Sequence, residues 1–416
     1  MRKQIRLLTA FVILGLLIHP ATSLSSSVNA IVSPGEQADS ELMCNKCHNK
    51  ANWQAKLAQY RLSRHFQGNT SSRNSKFCAR CHTSEGFQEI SWNGRPMVSN
   101  DMPNGTRISC TTCHKHTNFD FSDDTLTQIL RTTDPVFLNY DKNAKSTDFG
   151  ETNNLCSTCH QIRGATALNF IDSTVTPPVV KKIDQMPFFP LDNKLENATV
   201  KYQVGQTFGV HAGNQSNLYA GINGYEYAGQ EYARTWKHSD LKCTDCHMNK
   251  YDDAAKTGGH TLIVNKEVCT SCHKGDKLKP IEEKVDAKLT ELAELLVQRK
   301  VFRKNTNQGR VFYGPVQTHD FFGNLFQKTE SKTLYGMRLS NANTISPNNG
   351  LVVYGNSVTM GTDPDFALRI GREWKYGELG AAYNYGYISS ENTNGVHNPV
   401  YAIQLLQKSI DWLKAN

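Results

Sequence analysis

Six short runs of the chain have two cysteines three positions apart and a histidine directly after the second cysteine. Two thiols at this spacing can form thioether bonds to the two vinyl groups of one porphyrin, and the next residue can bind its iron. This spacing is typical of the covalent attachment of c-type haem. The runs use all twelve cysteines, so the sequence predicts six covalently bound haem c groups, each with its iron. The cysteines are Cys44 and Cys47, Cys78 and Cys81, Cys110 and Cys113, Cys156 and Cys159, Cys243 and Cys246, and Cys269 and Cys272, and the predicted proximal ligands are His48, His82, His114, His160, His247 and His273.

Paired cysteines have two other common uses, zinc binding and disulfide bonds. Neither use requires a histidine after every second cysteine. Histidine occupies 14 of the 416 positions. Six such placements by chance have a probability on the order of 10⁻⁹ if each run is treated as independent. The haem interpretation is therefore favoured over zinc and disulfides.

The ligand on the second face of each iron decides what a haem can do. An iron with two histidine ligands exchanges electrons only, whereas an iron with one histidine keeps an open face for chemistry. Apart from His19 near the N-terminus, seven histidines remain after the six proximal ones. This number favours irons closed on both faces, with one spare histidine or one open haem as alternatives. The candidate distal ligands are His65, His116, His211, His238, His260, His319 and His397, and Met248 is a weaker candidate.

Residues 1–30 have the pattern of a signal peptide. Basic residues at positions 2, 3 and 6 precede an apolar stretch, Leu7–Ile18, which is short for a membrane-spanning helix. The rest of the sequence contains no other apolar run long enough to cross a bilayer. We therefore expect an exported protein without a membrane span, periplasmic or extracellular at the cell surface. This location agrees with haem c, because its thioether bonds are made outside the cytoplasm.

The formal net charge of +8 does not indicate a nucleic-acid partner. Removal of residues 1–30, which contain three basic and no acidic residues, lowers the charge to +5. Each ferric haem adds about one net negative charge through its two propionates, so the loaded protein carries about −1 when oxidised and about −7 when reduced. We expect redox proteins or extracellular electron acceptors as partners, and no nucleic acid.

The composition predicts a mainly α fold with long irregular loops and few short strands, organised around the six haems. Hydrophobic residues make up 38% of the chain and its mean hydropathy is −0.52, which is low for a globular protein of this length. Porphyrin rings that pack against side chains can supply part of the apolar core.

Four regions are predicted along the chain. Residues 1–30 form the signal peptide, and residues 31–175 carry the first four haem runs. Residues 176–280 carry the last two runs, after an interval whose prolines at 177, 178, 187 and 190 favour extended chain. Residues 281–416 are expected to supply C-terminal helices and an irregular segment that pack on the haem core.

Two C-terminal helices are predicted from their apolar stripes. The first covers residues 280–300. The second follows Asn398, which can cap it, with Pro399 in its first turn. A third helix, over residues 372–388, is interrupted by glycines. The two stripes are Val285, Leu289, Leu292 and Leu296, and Ile403, Leu406, Ile410 and Leu413.

Several segments resemble exported multihaem cytochromes c. The N-terminal ones are Ser63-Arg64-His65, the run at 78–82 with Thr83-Ser84-Glu85-Gly86-Phe87, and Ser109 through His116. The segments Trp236-Lys237-His238 to Met248, Gly258-Gly259-His260 with the run at 269–273, and Gly395-Val396-His397-Asn398-Pro399 are similar to the haem core of the superfamily of ammonia-forming nitrite reductases, hydroxylamine oxidoreductases and octahaem reductases.

The resemblance implies that His238, His260 and His397 are the best distal ligands, followed by His65 and His116. Two features of the family's enzymes are missing from the pattern. No run ends in lysine, as the catalytic haem run of the nitrite reductases does, and the tyrosine that cross-links the catalytic haem in hydroxylamine oxidoreductases is not located. The resemblance therefore implies a chain of haems more strongly than it implies reductase chemistry.

We expect an electron carrier that transfers single electrons along mostly bis-histidine haems. The alternative is a reductase of a small nitrogen or sulfur oxyanion, such as nitrite, hydroxylamine or tetrathionate, at one haem with an open face. His319 and Tyr383 or Tyr385 are conceivable members of such a site, although packing against porphyrin faces is the favoured role of these tyrosines. Self-assembly into a dimer or filament is a third alternative, with haems continuing across the interfaces.

Overall fold

The computed structural model describes part of the chain, and all of that part belongs to one compact unit, residues 51–416. It is mainly helical with few strands, and among its helices none is long and apolar enough to cross a membrane. The described residues are 51–68, 73–93, 97–115, 130–138, 146–162, 168–172, 179–182, 193–204, 210, 213–234, 237–274, 278–299, 301, 304–307, 310–313, 333–335 and 373–416.

Short helices joined by irregular chain make up the part that carries the haem runs. Most of these helices have ten residues or fewer, and five of them begin or end within a cysteine run. They are α1 (Ala51–Arg61), α2 (Ala79–His82), α3 (Ser84–Asn93), α4 (Cys110–Cys113), α5 (Glu151–Ser157), α6 (Gln215–Tyr219), α7 (Cys243–His247) and α8 (Glu267–Thr270), with 3₁₀ turns at Asn193–Leu195, Lys237–Asp240 and Gly259–Thr261.

Two small sheets accompany the helices. The first has the strand order β2-β1-β3-β7, all antiparallel, with Phe170 opposite Lys181, Asn169 opposite Gln203 and Val200 opposite Trp374. The second is mixed, because β4 and β5 are antiparallel whereas β5 and β6 are parallel. The strands are β1 (Leu168–Asp172), β2 (Val179–Lys182), β3 (Thr199–Val204), β4 (Lys304–Asn307), β5 (Arg310–Tyr313), β6 (Thr333–Tyr335) and β7 (Glu373–Lys375).

Three longer helices pack together and form the main apolar core. They are α9 (Leu278–Gln298), α10 (Tyr376–Ser389) and α11 (Pro399–Ala415). The predicted stripe of α9 is at most 1% exposed, and on α11 Leu406, Ile410 and Leu413 are equally buried while Ile403 packs at the edge. The Asn398 side chain caps α11 by accepting a hydrogen bond from the Tyr401 N–H, as predicted. The two stripes belong to the same apolar cluster, so α9 and α11 pack against each other.

The glycines of α10 do not interrupt the helix, because two of them make room for aromatic rings. A Cβ atom on Gly380 would lie 2.3 Å from the Tyr225 ring, and one on Gly377 would lie 2.4 Å from the Trp412 ring. The close approach of these rings to the helix backbone compensates for the low helix propensity of glycine.

The tyrosines of α10 belong to this protein core. Tyr383, Tyr385 and Tyr387 are at most 1% exposed. The hydroxyl of Tyr383 donates to the Asn223 carbonyl at 2.9 Å and that of Tyr387 to the Ile222 carbonyl at 2.7 Å. Their rings contact side chains of α9 and α11 and of the segment around Tyr225. Tyr383 and Tyr385 therefore pack inside the protein.

Candidate haem-binding residues

Five of the six cysteine runs lie within the described residues, and all five adopt one local conformation. Each run forms a single helical turn. In four of them the histidine N–H donates to the carbonyl of the first cysteine, at 3.1 Å for His82, 2.9 Å for His114 and His160 and 2.7 Å for His273. In the fifth, Cys243–His247 is itself helix α7. Residues three apart lie on the same side of a helical turn, so both thiols of a run can reach one ligand edge.

The cysteines of these runs are available for covalent attachment. All ten described cysteines are free thiols, and none forms a disulfide bond. Among the residues that the structure describes, no three or more His, Cys, Asp or Glu side chains gather in the arrangement that holds a metal ion. Cys44, Cys47 and His48, the first run, lie outside the described residues.

Three proximal histidines each have a predicted distal histidine opposite them. The ring centres are 6.0 Å apart for His65 and His160, 6.1 Å for His238 and His273, and 6.3 Å for His247 and His397. The ring planes of these pairs are inclined by 55°, 85° and 12° respectively. His114 lies near enough to His260 for its charge to contribute to the lowered pKa of His260.

The pair separations can be compared with the geometry of a metal between two imidazoles. An imidazole nitrogen binds a transition metal at about 2.0–2.1 Å, and the ring centre lies about 1.1 Å further out, so the centres of two such rings on opposite sides are separated by about 6.2–6.4 Å. The three pairs have separations of 6.0, 6.1 and 6.3 Å, close to this range. Aromatic rings packed on each other also have centres about 4.5–7 Å apart, so these separations are compatible with a metal between the two imidazoles and with ordinary ring packing.

Hydrogen bonds orient four of these rings through their Nδ1 atoms. Nδ1 of His247 lies 3.0 Å from the Leu262 carbonyl, and Nδ1 of His238 lies 3.2 Å from the Val396 carbonyl. Nδ1 of His160 lies 3.1 Å from Oε1 of Gln215. Nδ1 of His397 contacts the Glu391 carboxylate. Partners at Nδ1 leave Nε2 to bind a metal, which is the usual outer-shell arrangement for a ligating histidine.

Most of the candidate ligands are held in the neutral form that a metal requires. Burial, aided by nearby His160 and His247, lowers the pKa of His65 to about 4. Burial, His114 and Lys56 lower the pKa of His260 to about 4. Burial is also the largest cause of the lowered pKa values of His114, His238 and His247. The Nδ1 atom of His65 is buried without a hydrogen-bond partner among the described residues, which fits a ring that is completed by a bound group.

The second and fourth runs contact each other reciprocally. Sγ of Cys81 lies 3.9 Å from the Thr158 carbonyl, and Sγ of Cys159 lies 3.9 Å from the Arg80 carbonyl. The Arg80 guanidinium, which is 2% exposed, also donates to the Thr158 carbonyl at 3.2 Å. Each run therefore covers the thiol of the other.

The third, fifth and sixth runs each lie near another described run. The hydroxyl of Thr112, in the third run, donates to the Ser84 hydroxyl beside the second run at 2.7 Å. A hydrogen bond with Cys156 of the fourth run, together with burial, raises the pKa of Cys243 in the fifth. Burial and then the charge of Cys269 in the sixth run raise the pKa of Cys246. These contacts join the third run to the second, the second to the fourth and the fourth to the fifth, and the charge of Cys269 places the sixth run near the fifth.

Two residues of this site carry no sequence signal. Glu391 and Gln215 lie outside every run and match no metal-binding motif, yet both contact a candidate ligand. Burial raises the pKa of Glu391, but the charge and hydrogen bond of His397 outweigh burial and the net pKa is lowered. Conversely, burial lowers the pKa of His397, but the charge and hydrogen bond of Glu391 raise it by more. The net pKa of His397 is therefore raised. Only the three-dimensional structure brings these two residues to the rings.

The structure brings together six of the predicted histidine ligands in three pairs and leaves others undescribed. His82 is buried at 7% exposure beside the second run's thiols. Three distal candidates, His116, His211 and His319, lie outside the described residues. No protein-family model matches the chain, and no curated protein matches it.

Proposed function

We propose that the chain is a hexahaem c-type cytochrome that transfers single electrons along mostly bis-histidine haems outside the cytoplasm. The observation that carries this proposal is the set of six cysteine runs, each followed directly by a histidine. Three of these histidines have ring centres 6.0–6.3 Å from those of a second histidine, a separation compatible with two ligands of one metal. An iron with two histidine ligands has no face left for a substrate and exchanges electrons only.

The contacts between runs support one continuous route for electrons. Neighbouring runs are joined by Ser84 with Thr112, by Cys81 with Thr158, and by Cys156 with Cys243. Electron transfer between centres slows steeply with distance, so the contact order of the runs is the proposed order of transfer. The route runs from the third run through the second, fourth and fifth to the sixth.

The protein's own residues have three tasks at each proposed site. Paired cysteines hold the ring edge, and paired histidines hold the iron. The Nδ1 acceptors, Leu262, Val396, Gln215 and Glu391, fix the orientation of the imidazoles. Haem c, when bound, supplies a one-electron iron couple at each site.

The predicted signal peptide and haem c itself support a periplasmic or cell-surface location. The electron donor and acceptor are proposed to be redox proteins or extracellular acceptors. A dimer or filament in which the route continues from one subunit to the next is compatible with this proposal.

Intact-mass analysis and ferric electron paramagnetic resonance (EPR) of the native protein test the proposal. The mass should exceed that of the mature polypeptide by six haem groups, and a bare polypeptide would refute the proposal. The ferric spectrum should be low-spin and unchanged by nitrite, hydroxylamine or cyanide. A high-spin signal that shifts with these molecules would instead support the alternative, a multihaem reductase of small oxyanions.

A further inference from the structure

One of the oriented imidazoles donates to an anion, whereas the others donate to neutral groups. The partners of His238 and His247 are backbone carbonyls, and the partner of His160 is an amide. The partner of His397 is the carboxylate of Glu391. A carboxylate on the far nitrogen makes an imidazole a stronger electron donor to its metal.

Glu391 is fixed in place by the loop that it shares with His397. Its carboxylate accepts hydrogen bonds from the Thr393 N–H at 3.1 Å and from the Thr393 hydroxyl at 2.6 and 2.5 Å. Asn392, Asn394 and Gly395 have φ values of +65°, +54° and +78°. This uncommon conformation folds the loop tightly enough to bring residues 391 and 397 together.

Burial makes this anion effective. Glu391 has no exposed surface, whereas the His397 side chain is 22% exposed. A charge inside the protein is screened much less than a charge in water. The carboxylate also adds its own negative charge close to the ligand.

We propose that Glu391 is a positioning residue that lowers the reduction potential of the haem held by His247 and His397. This inference rests on the proposed function. Electron donation by the ligand and the buried negative charge both stabilise the ferric iron over the ferrous iron. The haem of the fifth run is thus harder to reduce than it would be with a neutral partner at this position. Because the fifth run lies between the fourth and the sixth, this haem sets an energetic step in the middle of the route.

The ring planes allow this haem to be followed separately. The His247 and His397 planes are within 12° of parallel, whereas the other measured pairs are inclined by 55° and 85°. Nearly parallel ligand planes give a rhombic low-spin EPR signal, and steeply crossed planes give a highly anisotropic one. Among these three pairs the rhombic signal belongs to the fifth haem, and the loss of that signal on reduction reports the potential of this haem.

The test is an EPR-monitored redox titration of the fully loaded full-length protein and of the Glu391→Gln variant. The variant keeps a hydrogen-bond acceptor and removes the charge. We expect the midpoint of the rhombic signal to rise by about 59 mV, a tenfold change in the one-electron equilibrium, while the anisotropic signals move much less. Glu391→Asp, which keeps the charge, should retain more of the wild-type potential than Glu391→Gln does.

A reciprocal variant, Gln215→Glu, gives a second measurement at a different ligand. It offers a carboxylate to Nδ1 of His160, so the haem of the fourth run should become harder to reduce. An unchanged or lowered rhombic midpoint in Glu391→Gln would overturn the inference while leaving the proposed function intact. If Glu391→Gln does not accumulate in a loaded form, an unchanged or raised potential of the fourth haem in Gln215→Glu overturns the inference. The absence of attached haem in the wild-type protein would refute the proposed function itself.

Discussion

Replacement of His238 by alanine should open one iron of the loaded protein. His238 lies opposite His273 with ring centres 6.1 Å apart, so its removal takes away the second ligand proposed for the sixth run. One haem in six would then change from low-spin to high-spin ferric iron. The expected increase in high-spin signal is therefore about one sixth of the total iron, because the other five ligand sets are unchanged.

Quantitative EPR of the ferric protein measures this fraction directly. The highly anisotropic signal should decrease by the same amount, because the planes of His238 and His273 are inclined by 85°. Added imidazole should bind the opened iron and restore the low-spin spectrum. Asp240→Ala is a matched control, since Asp240 is an exposed residue of the same 3₁₀ turn, Lys237–Asp240.

Two results would refute this reasoning. One is a fully loaded His238→Ala protein whose ferric spectrum equals that of the wild type. The other is a high-spin increase of the same size in Asp240→Ala, which would assign the effect to the turn and not to the imidazole.

Three further outcomes are expected. A reductive titration should spread over several hundred millivolts, because reduction of one haem makes its neighbour harder to reduce. Two unit charges about 10 Å apart at an effective dielectric of about 20 interact by about 1.7 kcal/mol, or about 70 mV per neighbour. A single sharp midpoint would contradict close contact between haems. Leu292→Ala should lower the free energy of unfolding by about 2–5 kcal/mol in denaturant titrations, because Leu292 is 0% exposed in the helical core, whereas Lys284→Ala on the exposed face of the same helix should change it little. The free energy of unfolding should fall as the pH falls from 6.5 towards 4. The unfolded chain binds protons at His65 and His260 in this window, whereas burial holds the pKa values of both residues in the folded protein at about 4. Denaturant titrations at fixed pH values that give a constant free energy of unfolding in this window would refute the expected pH dependence.

The local features of this protein could be predicted from its sequence. Helices α9 and α11 were predicted from stripes of apolar residues, and their burial follows from the amphipathic pattern alone. The cap at Asn398 was predicted because it depends on a few adjacent residues. The mainly helical character with few strands was likewise predicted from composition.

Features that depend on distant parts of the chain could not be predicted. Histidines can be counted in a sequence. The approach of His65 to His160 and of His247 to His397, however, depends on the packing of many helices and loops against one another. The pairing of β3 with β7 joins segments separated by long stretches of chain. The role of Glu391 was missed because a carboxylate six residues before a histidine has no recognisable spacing.

The tyrosines of α10 show how much of their surroundings a local pattern leaves open. Three tyrosines at alternate positions in α10 suggested contact with cofactor faces or with a substrate. They lie in the main apolar core. The hydroxyls of Tyr383 and Tyr387 donate to the carbonyls of Asn223 and Ile222, contacts that no local pattern encodes.

The reciprocal contact between Arg80-Cys81 and Thr158-Cys159 has a mechanical consequence. Sγ of Cys81 and Sγ of Cys159 each lie 3.9 Å from a backbone carbonyl of the opposite segment, so the two proposed attachment points are held side by side by adjacent backbone. Tunnelling rates decay exponentially with separation, and a gap set by adjacent backbone varies little with thermal motion. With haem at both runs, as proposed, electron transfer between them should keep its rate when heat or solvent loosens the rest of the molecule.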